Sequence, residues 1–361
     1  MPPPFNPRPT FSPLPSLPRS YFLGHHRAGL TRMKTLLSTG ISLLIECRDY
    51  RIPLTSLNPL FEAELSGSTR RLILYTKRDL GFADDHNSRA VKEREDRIKT
   101  LMMEQGKGGG RVEGVMFASN TDRSSIGRIL AFIRDHAQAR DTLTGTRCLV
   151  LGMPNVGKSS LLNSLRHTGT GRGKAASTGA QPGITRKIGT AVKIIEGEAE
   201  DHEEDVYVMD TPGVFVPYVP DAEAMLKLAL CGCVKDTIVP PVMLADYLLY
   251  QVNKVGEWGC YTCYTPGAEP TNDVMTLLEG VARRTGRLMK GGMPDVEAAA
   301  LWVVQRWRGG FWGRFILDDV SEEGIEMERA EREERGGSMN QARRVDKEAR
   351  RARGRAIRDA G

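Results

Sequence analysis

"LILYTKRDL", residues 72–80, is an apolar run that stops abruptly at Thr76-Lys77-Arg78-Asp79. It reads as a buried strand that delivers a polar loop at its end. A second strand–loop unit, "LVLGMPNVGKSS" at 149–160, lies further along the chain. The order of these two units decides the fold.

The later unit holds Gly152, Gly157, Lys158 and Ser159 in the spacing G-x-x-x-x-G-K-S. An apolar strand precedes it and the helical pattern "SLLNSLRH" follows, which is the context this loop requires. Glycines let backbone N–H groups curl around a phosphate at a helix N-terminus. Asn155, Val156, Gly157, Lys158, Ser159 and Ser160 are therefore assigned to phosphate binding. Lys158 would reach the β- and γ-phosphates and Ser159 would bind Mg²⁺. A chance glycine turn would not arrive with both flanking elements.

"VYVMDTPGV" at 206–214 places Asp210 at a strand end and Gly213 three residues on. Asp210 can hold the Mg²⁺ through water, and the Gly213 N–H can touch a γ-phosphate. Alone, D-x-x-G is a weak signal; downstream of a phosphate loop it is a strong one. Between the two, Thr185 in "GAQPGITRK" can complete the Mg²⁺ shell, the behaviour of a switch segment. Asp79 then takes the base. A carboxylate accepts two hydrogen bonds from a guanine edge, and adenine offers no matching donors. Lys77 would pack over the base. Thr76 departs from the commoner N-K-x-D and can do only part of an asparagine's bonding. Ser119, in "FASN", would add a second base contact through its backbone.

These motifs make one GTP site in an unusual order, with base loops before phosphate loop and switches. A circularly permuted GTPase domain explains that order, because the termini of compact domains often lie close together. The expected fold is α/β, a P-loop GTPase domain with circularly permuted strand order followed by an all-helical C-terminal domain. Strand candidates are 41–46, 71–76, 114–119, 147–152, 190–195 and 206–211. Ile126, Ile129, Leu130 and Ile133 mark a helix behind Asp122. After Pro217 the strands stop. Helical spacing follows in Ala245/Leu248/Leu249/Val252, Val274/Leu277/Leu278/Val281 and Val296/Ala299/Ala300/Val303/Trp307. The expected divisions are a Pro-rich leader at 1–20, the GTPase domain at 21–217, the helical domain at 218–320 and a charged tail at 321–361.

The chain has 361 residues, of which 40% are hydrophobic, with a net charge of +6. That suits a soluble globular protein of more than one domain, and the mild positive balance permits a polyanionic partner without demanding one. No apolar run reaches the roughly 18–20 residues of a membrane helix. Cys47 and Cys148 read as core thiols. Cys231, Cys233, Cys260 and Cys263 could form a zinc set, but the C-x-C half is atypical, and ordinary thiols are the simpler reading. No Asp or Glu occurs before Glu46, which suits a mitochondrial leader, although eight prolines among the first eighteen residues oppose an amphipathic helix. A disordered leader is expected there.

Together the stretches "FLGHH", "IECRDYRIPLTSLNP", "TKRD", "GMPNVGKSS", "QPGITR", "DTPGVFVP", "KLALCGCVKD" and "LMKGGMPDVEAAALWVVQRWRGGFWGR" resemble the circularly permuted ribosome-assembly GTPases of the YlqF type. The closest likeness is to their mitochondrial ribosome-associated branch, over roughly residues 21–320. The resemblance implies GTP hydrolysis coupled to maturation of the large mitochondrial ribosomal subunit, with its rRNA as partner. It implies a matrix location, with a peripheral position on the inner membrane left open. It also implies that His25 orients the attacking water, and that Asn155 helps bind K⁺.

Val214 stands where many GTPases carry a water-orienting glutamine, so slow basal turnover is expected. The segment "VFVPYVP" joins switch two directly to the helical domain, where Arg283, Arg284, Arg287, Lys290, Arg306, Arg308 and Arg314 supply positive charge for phosphates. Competing readings are an RNA-binding scaffold with negligible turnover, a cytosolic ribosome-assembly GTPase, and an ATP-dependent phosphotransferase. Asp79 argues against the last.

Overall fold

The apolar runs between residues 43 and 210 pair into a single six-stranded sheet. The computed structural model describes residues 5–12, 17, 31, 33–38, 40–58, 65, 69–82, 88–105, 111–139, 145–176, 191–197, 204–214, 219 and 221–336. Its strands are β1 Leu43–Asp49, β2 Arg70–Thr76, β3 Arg111–Phe117, β4 Thr146–Gly152, β5 Val192–Ile195 and β6 Val206–Asp210. Every residue of β1 is buried, as expected of a parallel strand covered on both faces.

The spatial order is β3-β2-β1-β4-β6-β5, with β5 antiparallel at one edge and all other neighbours parallel. The chain first walks outward from β1 to β3, then returns to the far side of β1 and walks outward again. The reversal falls between β1 and β4. In open α/β sheets a ligand crevice forms at such a point, outside the carboxyl ends of the strands. Reading β4 to β6 first, and β1 to β3 second, restores the order phosphate loop, switch two, base loop, second base loop. The domain is thus a circularly permuted P-loop domain.

Helices flank this sheet: α1 Arg89–Gln105, α2 Arg123–Gln138 and α3 Lys158–Thr170. The expected start of α2 is seen directly, because the Asp122 carboxylate accepts from Ser124 N and Ser125 N. Such a cap contributes about 1 kcal/mol. Helix α1 carried no clear signal in the sequence. It is dense in charge, and only Val91, Ile98, Leu101 and Met102 bury apolar side chains.

A helical region follows, made of α4 Ala222–Leu230, α5 Pro241–Val255, α6 Val274–Thr285 and α7 Val296–Arg308. Pro241 opens α5, where a missing N–H costs nothing, while Asp273 and Asp295 cap α6 and α7. One hydrophobic cluster runs from Leu43, Leu72 and Val150 in the sheet to Leu248, Val303 and Trp307 in these helices. Met1–Asp318 form one compact unit and Asp319–Gly361 another. The second unit contains α8, Glu322–Gly336.

The first residues depart from the expectation of a disordered leader. Arg8 pairs with Asp246 on α5 at 2.6 Å, and its backbone N–H donates to Asn272 Oδ1. Phe5 meets Trp258 edge-on at 5.4 Å, and Phe11 meets Tyr247 at 5.2 Å. Prolines pre-set an extended backbone at little entropic cost, and the aromatic and guanidinium groups between them supply the grip. Cys47, Cys148, Cys231 and Cys233 are buried, Cys260 is half-buried and Cys263 is exposed. Among the described residues no helix is long and apolar enough to cross a membrane.

Candidate active site

Strand β4 ends at Gly152 and the chain turns through Gly157, whose φ of 97° is left-handed, into α3. A side chain at Gly157 would be strained by that φ, and its Cβ would press on Thr76 Oγ1 at 3.3 Å. No side chain caps the start of α3, so its first N–H groups remain for an anion. The Lys158 ammonium lies folded on its own loop, donating to Met153 O at 2.7 Å and Gly152 O at 3.3 Å. Burial lowers its pKa, with Asp210 and Cys47 opposing. Cys47 is itself pushed up to about 12 by burial and stays a neutral thiol. Val156 is wholly buried, so the phosphate loop's apolar residue faces the core, while Ser160 is half-buried one residue beyond Ser159.

Ser159 Oγ donates to Asp210 Oδ2 at 2.6 Å, joining the loop after β4 to the end of β6. Burial raises the Asp210 pKa, with Lys158 and the Ser159 hydroxyl offsetting part of it. Asp210 Oδ1 is buried without a hydrogen-bond partner among the described residues. A hydroxyl, a carboxylate and an unsatisfied oxygen together suit a hard, oxygen-seeking divalent cation. Gly213 packs on the phosphate loop, where a Cβ would fall 2.6 Å from Pro154 Cα. Val214 donates its N–H to Gly152 O at 3.2 Å, and its side chain is buried among Leu44, Leu149 and Leu151. That side chain points into the core and is closed to solvent.

The base loop arrives from the other side. Thr76 Oγ1 donates to the Val156 carbonyl in the phosphate loop and lies 3.1 Å from Arg48 O. A threonine has one such proton, so tying the loops together uses it. Lys77 Nζ donates to Asn155 O at 2.6 Å and to Asp49 Oδ2 at 2.9 Å. Asp79 is half-buried, and its carboxylate has no partner among the described residues. Arg78 N bonds Ala118 O at 3.1 Å, which draws the second base loop alongside. The Ser119 N–H itself is engaged by Ser125 Oγ at 3.3 Å.

The structure therefore brings Thr76, Lys77 and Ser119 to the same crevice as Asn155, Lys158, Ser159, Asp210 and Gly213. His25 and Thr185 lie outside the described residues. The Asn155 side chain donates to Gly232 O at 2.9 Å, reaching the connection after α4. Asp49 lies within the stretch "IECRDYRIPLTSLNP" but was given no role from the sequence, although Lys77 rests on it. Asp49 is one of three charged residues in β1, with Glu46 and Arg48, and nothing in the sequence sets it apart from them.

A family profile described as 50S ribosome-binding GTPase matches residues 147–255. It begins at β4 and leaves the base loops outside, as permutation requires. Mitochondrial GTPase 1 of Schizosaccharomyces japonicus is 36% identical over 317 residues, spanning 84% of this chain and 91% of that protein. Mitochondrial ribosome-associated GTPase 1 of Xenopus tropicalis is 33% identical, spanning 82% of this chain and 94% of that protein. Among solved structures, GNP-bound YlqF from T. maritima covers 81% of this chain at 20% identity, with a TM-score of 0.48.

Sheet order and motif placement define a circularly permuted P-loop GTPase, one that binds and hydrolyses GTP. Within that class, the chain belongs to the mitochondrial GTPase 1 family, and it is a mitochondrial protein.

Proposed function

We propose that this GTPase assembles the large subunit of the mitochondrial ribosome, with nucleotide state setting how its helical region holds rRNA. The observation that carries this reading is a basic–aromatic face formed by α7, the turn after it and Arg287 in the connection after α6. Arg287 and Arg306 lie over the Trp302 ring at 5.0 and 5.7 Å, and Arg306 lies over Phe311 at 4.0 Å. Phe311 is 63% exposed. Guanidinium groups held on rings are pre-oriented for phosphates, and an exposed ring is a platform for an unpaired base. Arg308 does not belong to that face. It bonds the carbonyls of Ala229 and Leu230 and pairs with Asp236 at 2.7 Å, so it braces α4.

In the reaction, Lys158 leaves its two carbonyls to bind the β- and γ-phosphates. Ser159 and Asp210, joined by Thr185, would hold Mg²⁺, which neutralises charge on the phosphate oxygens. Gly213 meets the γ-phosphate through its N–H, and the Asp79 carboxylate reads the guanine. With Val214 facing the core, the attacking water needs another partner. His25 is proposed for that role, as a neutral imidazole accepting from water, and Asn155 for a K⁺ site. Slow turnover without a ribosomal partner follows.

Cosedimentation of the full chain with large mitochondrial subunits should depend on whether GTP, GDP or a non-hydrolysable analogue is present. Identical pelleting in all three states would contradict nucleotide control. The buried Val214 side chain also favours a second reading, an RNA-binding scaffold in which turnover of the bound GTP is negligible. Single-turnover hydrolysis that large subunits do not accelerate would support that reading over assembly driven by hydrolysis.

A further inference from the structure

Strand β1 ends at Asp49, directly beside Thr76 at the end of β2. Its carboxylate is wholly buried and is shared between two cations. Oδ2 accepts from Lys77 Nζ at 2.9 Å and from Arg51 Nη2 at 2.8 Å, and Oδ1 accepts from Arg51 Nε at 3.0 Å and Arg51 N at 3.1 Å. Burial alone would raise Asp49, and Arg51 and Lys77 more than offset it, so the group stays ionised well below the usual carboxylate range.

Each cation leads to a different part of the molecule. Lys77 continues to Asn155 O in the phosphate loop. Both Lys77 and Asn155 hold φ at 56°, a left-handed conformation that non-glycine residues adopt only when their surroundings hold them there. The same ammonium is held by the buried carboxylate and by the phosphate-loop carbonyl. Arg51 continues into the helical region. Its guanidinium lies over the Trp307 ring of α7 at 4.7 Å, and its carbonyl accepts from Leu317 N at 2.8 Å. The next residue, Asp318, accepts from Leu54 N, Thr55 N and Thr55 Oγ1, so the segment 51–55 is seated on the helical region.

We propose that Asp49 is a positioning residue for guanine recognition, holding Lys77 against the phosphate loop and making that hold depend, through Arg51, on the seating of α7. The proposal rests on the GTP site described above and adds a route to it. Switch two and the Asn155–Gly232 bond connect the phosphate side to the helical region, and the base side supplies a further connection. Linkage is reciprocal. A helical region displaced from Arg51 loosens guanine nucleotide, and bound guanine nucleotide steadies α7.

The test is a double-mutant cycle in the full chain, read as the affinity for a fluorescent GDP analogue. Lys77→Met lowers that affinity. Asp49→Asn lowers it by about tenfold in the Lys77 background and by nothing further in the Lys77→Met background. Losses that simply add, with the melting temperature falling equally in both backgrounds, would reduce Asp49 to a structural residue and overturn the proposal. Should Asp49→Asn not fold, Arg51→Lys carries the test. It keeps the charge and loses the fork that spans Asp49 and Trp307. Severalfold weaker GDP binding in the Lys77 background alone supports the proposal, and unchanged binding overturns it. If Lys77→Met itself leaves GDP affinity unaltered, the site assignment fails instead, which is a distinct result.

Discussion

The two ends of the nucleotide site are prepared in opposite ways. At the phosphate end the polar groups are closed on one another: Lys158 lies on Met153 O and Gly152 O, and Ser159 lies on Asp210. At the base end Lys77 is already clamped between Asp49 and Asn155 O, while the half-buried Asp79 has no partner among the described residues. The phosphates must therefore displace internal bonds, whereas the base meets a carboxylate that is ready. Permutation makes this division sharper. Each end comes from a separate half of the chain, and within the sheet the halves are joined across β1 and β4.

The comparison can be broken by single substitutions. The largest effect is expected from Lys158→Ala, which removes the only ammonium in the phosphate loop and should abolish measurable GTP binding by calorimetry. Normal binding would mean the phosphates sit elsewhere. Asp79→Asn should weaken GTP by about 1.5–3 kcal/mol, the worth of a charged hydrogen bond, and should admit xanthosine triphosphate. Unaltered selectivity would remove Asp79 from the base site.

Much of this contrast could be read in the sequence, and the parts that could not have physical reasons. All six strands were visible as short runs rich in apolar residues, β1 and β4 most clearly because both lie inside the sheet between parallel neighbours. Helix α2 was visible because Asp122 and four spaced apolar residues announce it. Helix α1 was hidden by the charge on its solvent face. Asp49 was hidden because a lone carboxylate has no spacing to read, and its importance comes from residues 77, 51 and 307 converging in space. The leader misled for a related reason. Eight prolines suggested disorder, but Phe5, Arg8 and Phe11 dock on the helical region around α5, which composition cannot foresee.

Two smaller effects sharpen the picture. Val214→Gln would bury an amide among Leu44, Leu149 and Leu151 and should cost about 1–3 kcal/mol of stability, without accelerating GTP hydrolysis. Faster turnover would show that position 214 faces the reaction after all. Arg8→Ala should lower stability by about 1 kcal/mol, seen as a modest fall in melting temperature with GDP affinity unchanged. No change in melting temperature would mean the N-terminal strap contributes nothing to the fold.

The central claim is that one GTP molecule spans both halves of the chain. A crystal structure with a non-hydrolysable GTP analogue tests it most directly. The guanine edge should lie within hydrogen-bonding distance of the Asp79 carboxylate while the β-phosphate rests in the loop from Gly152 to Ser159. A phosphate-bound analogue whose base points away from residues 76–79 would contradict it.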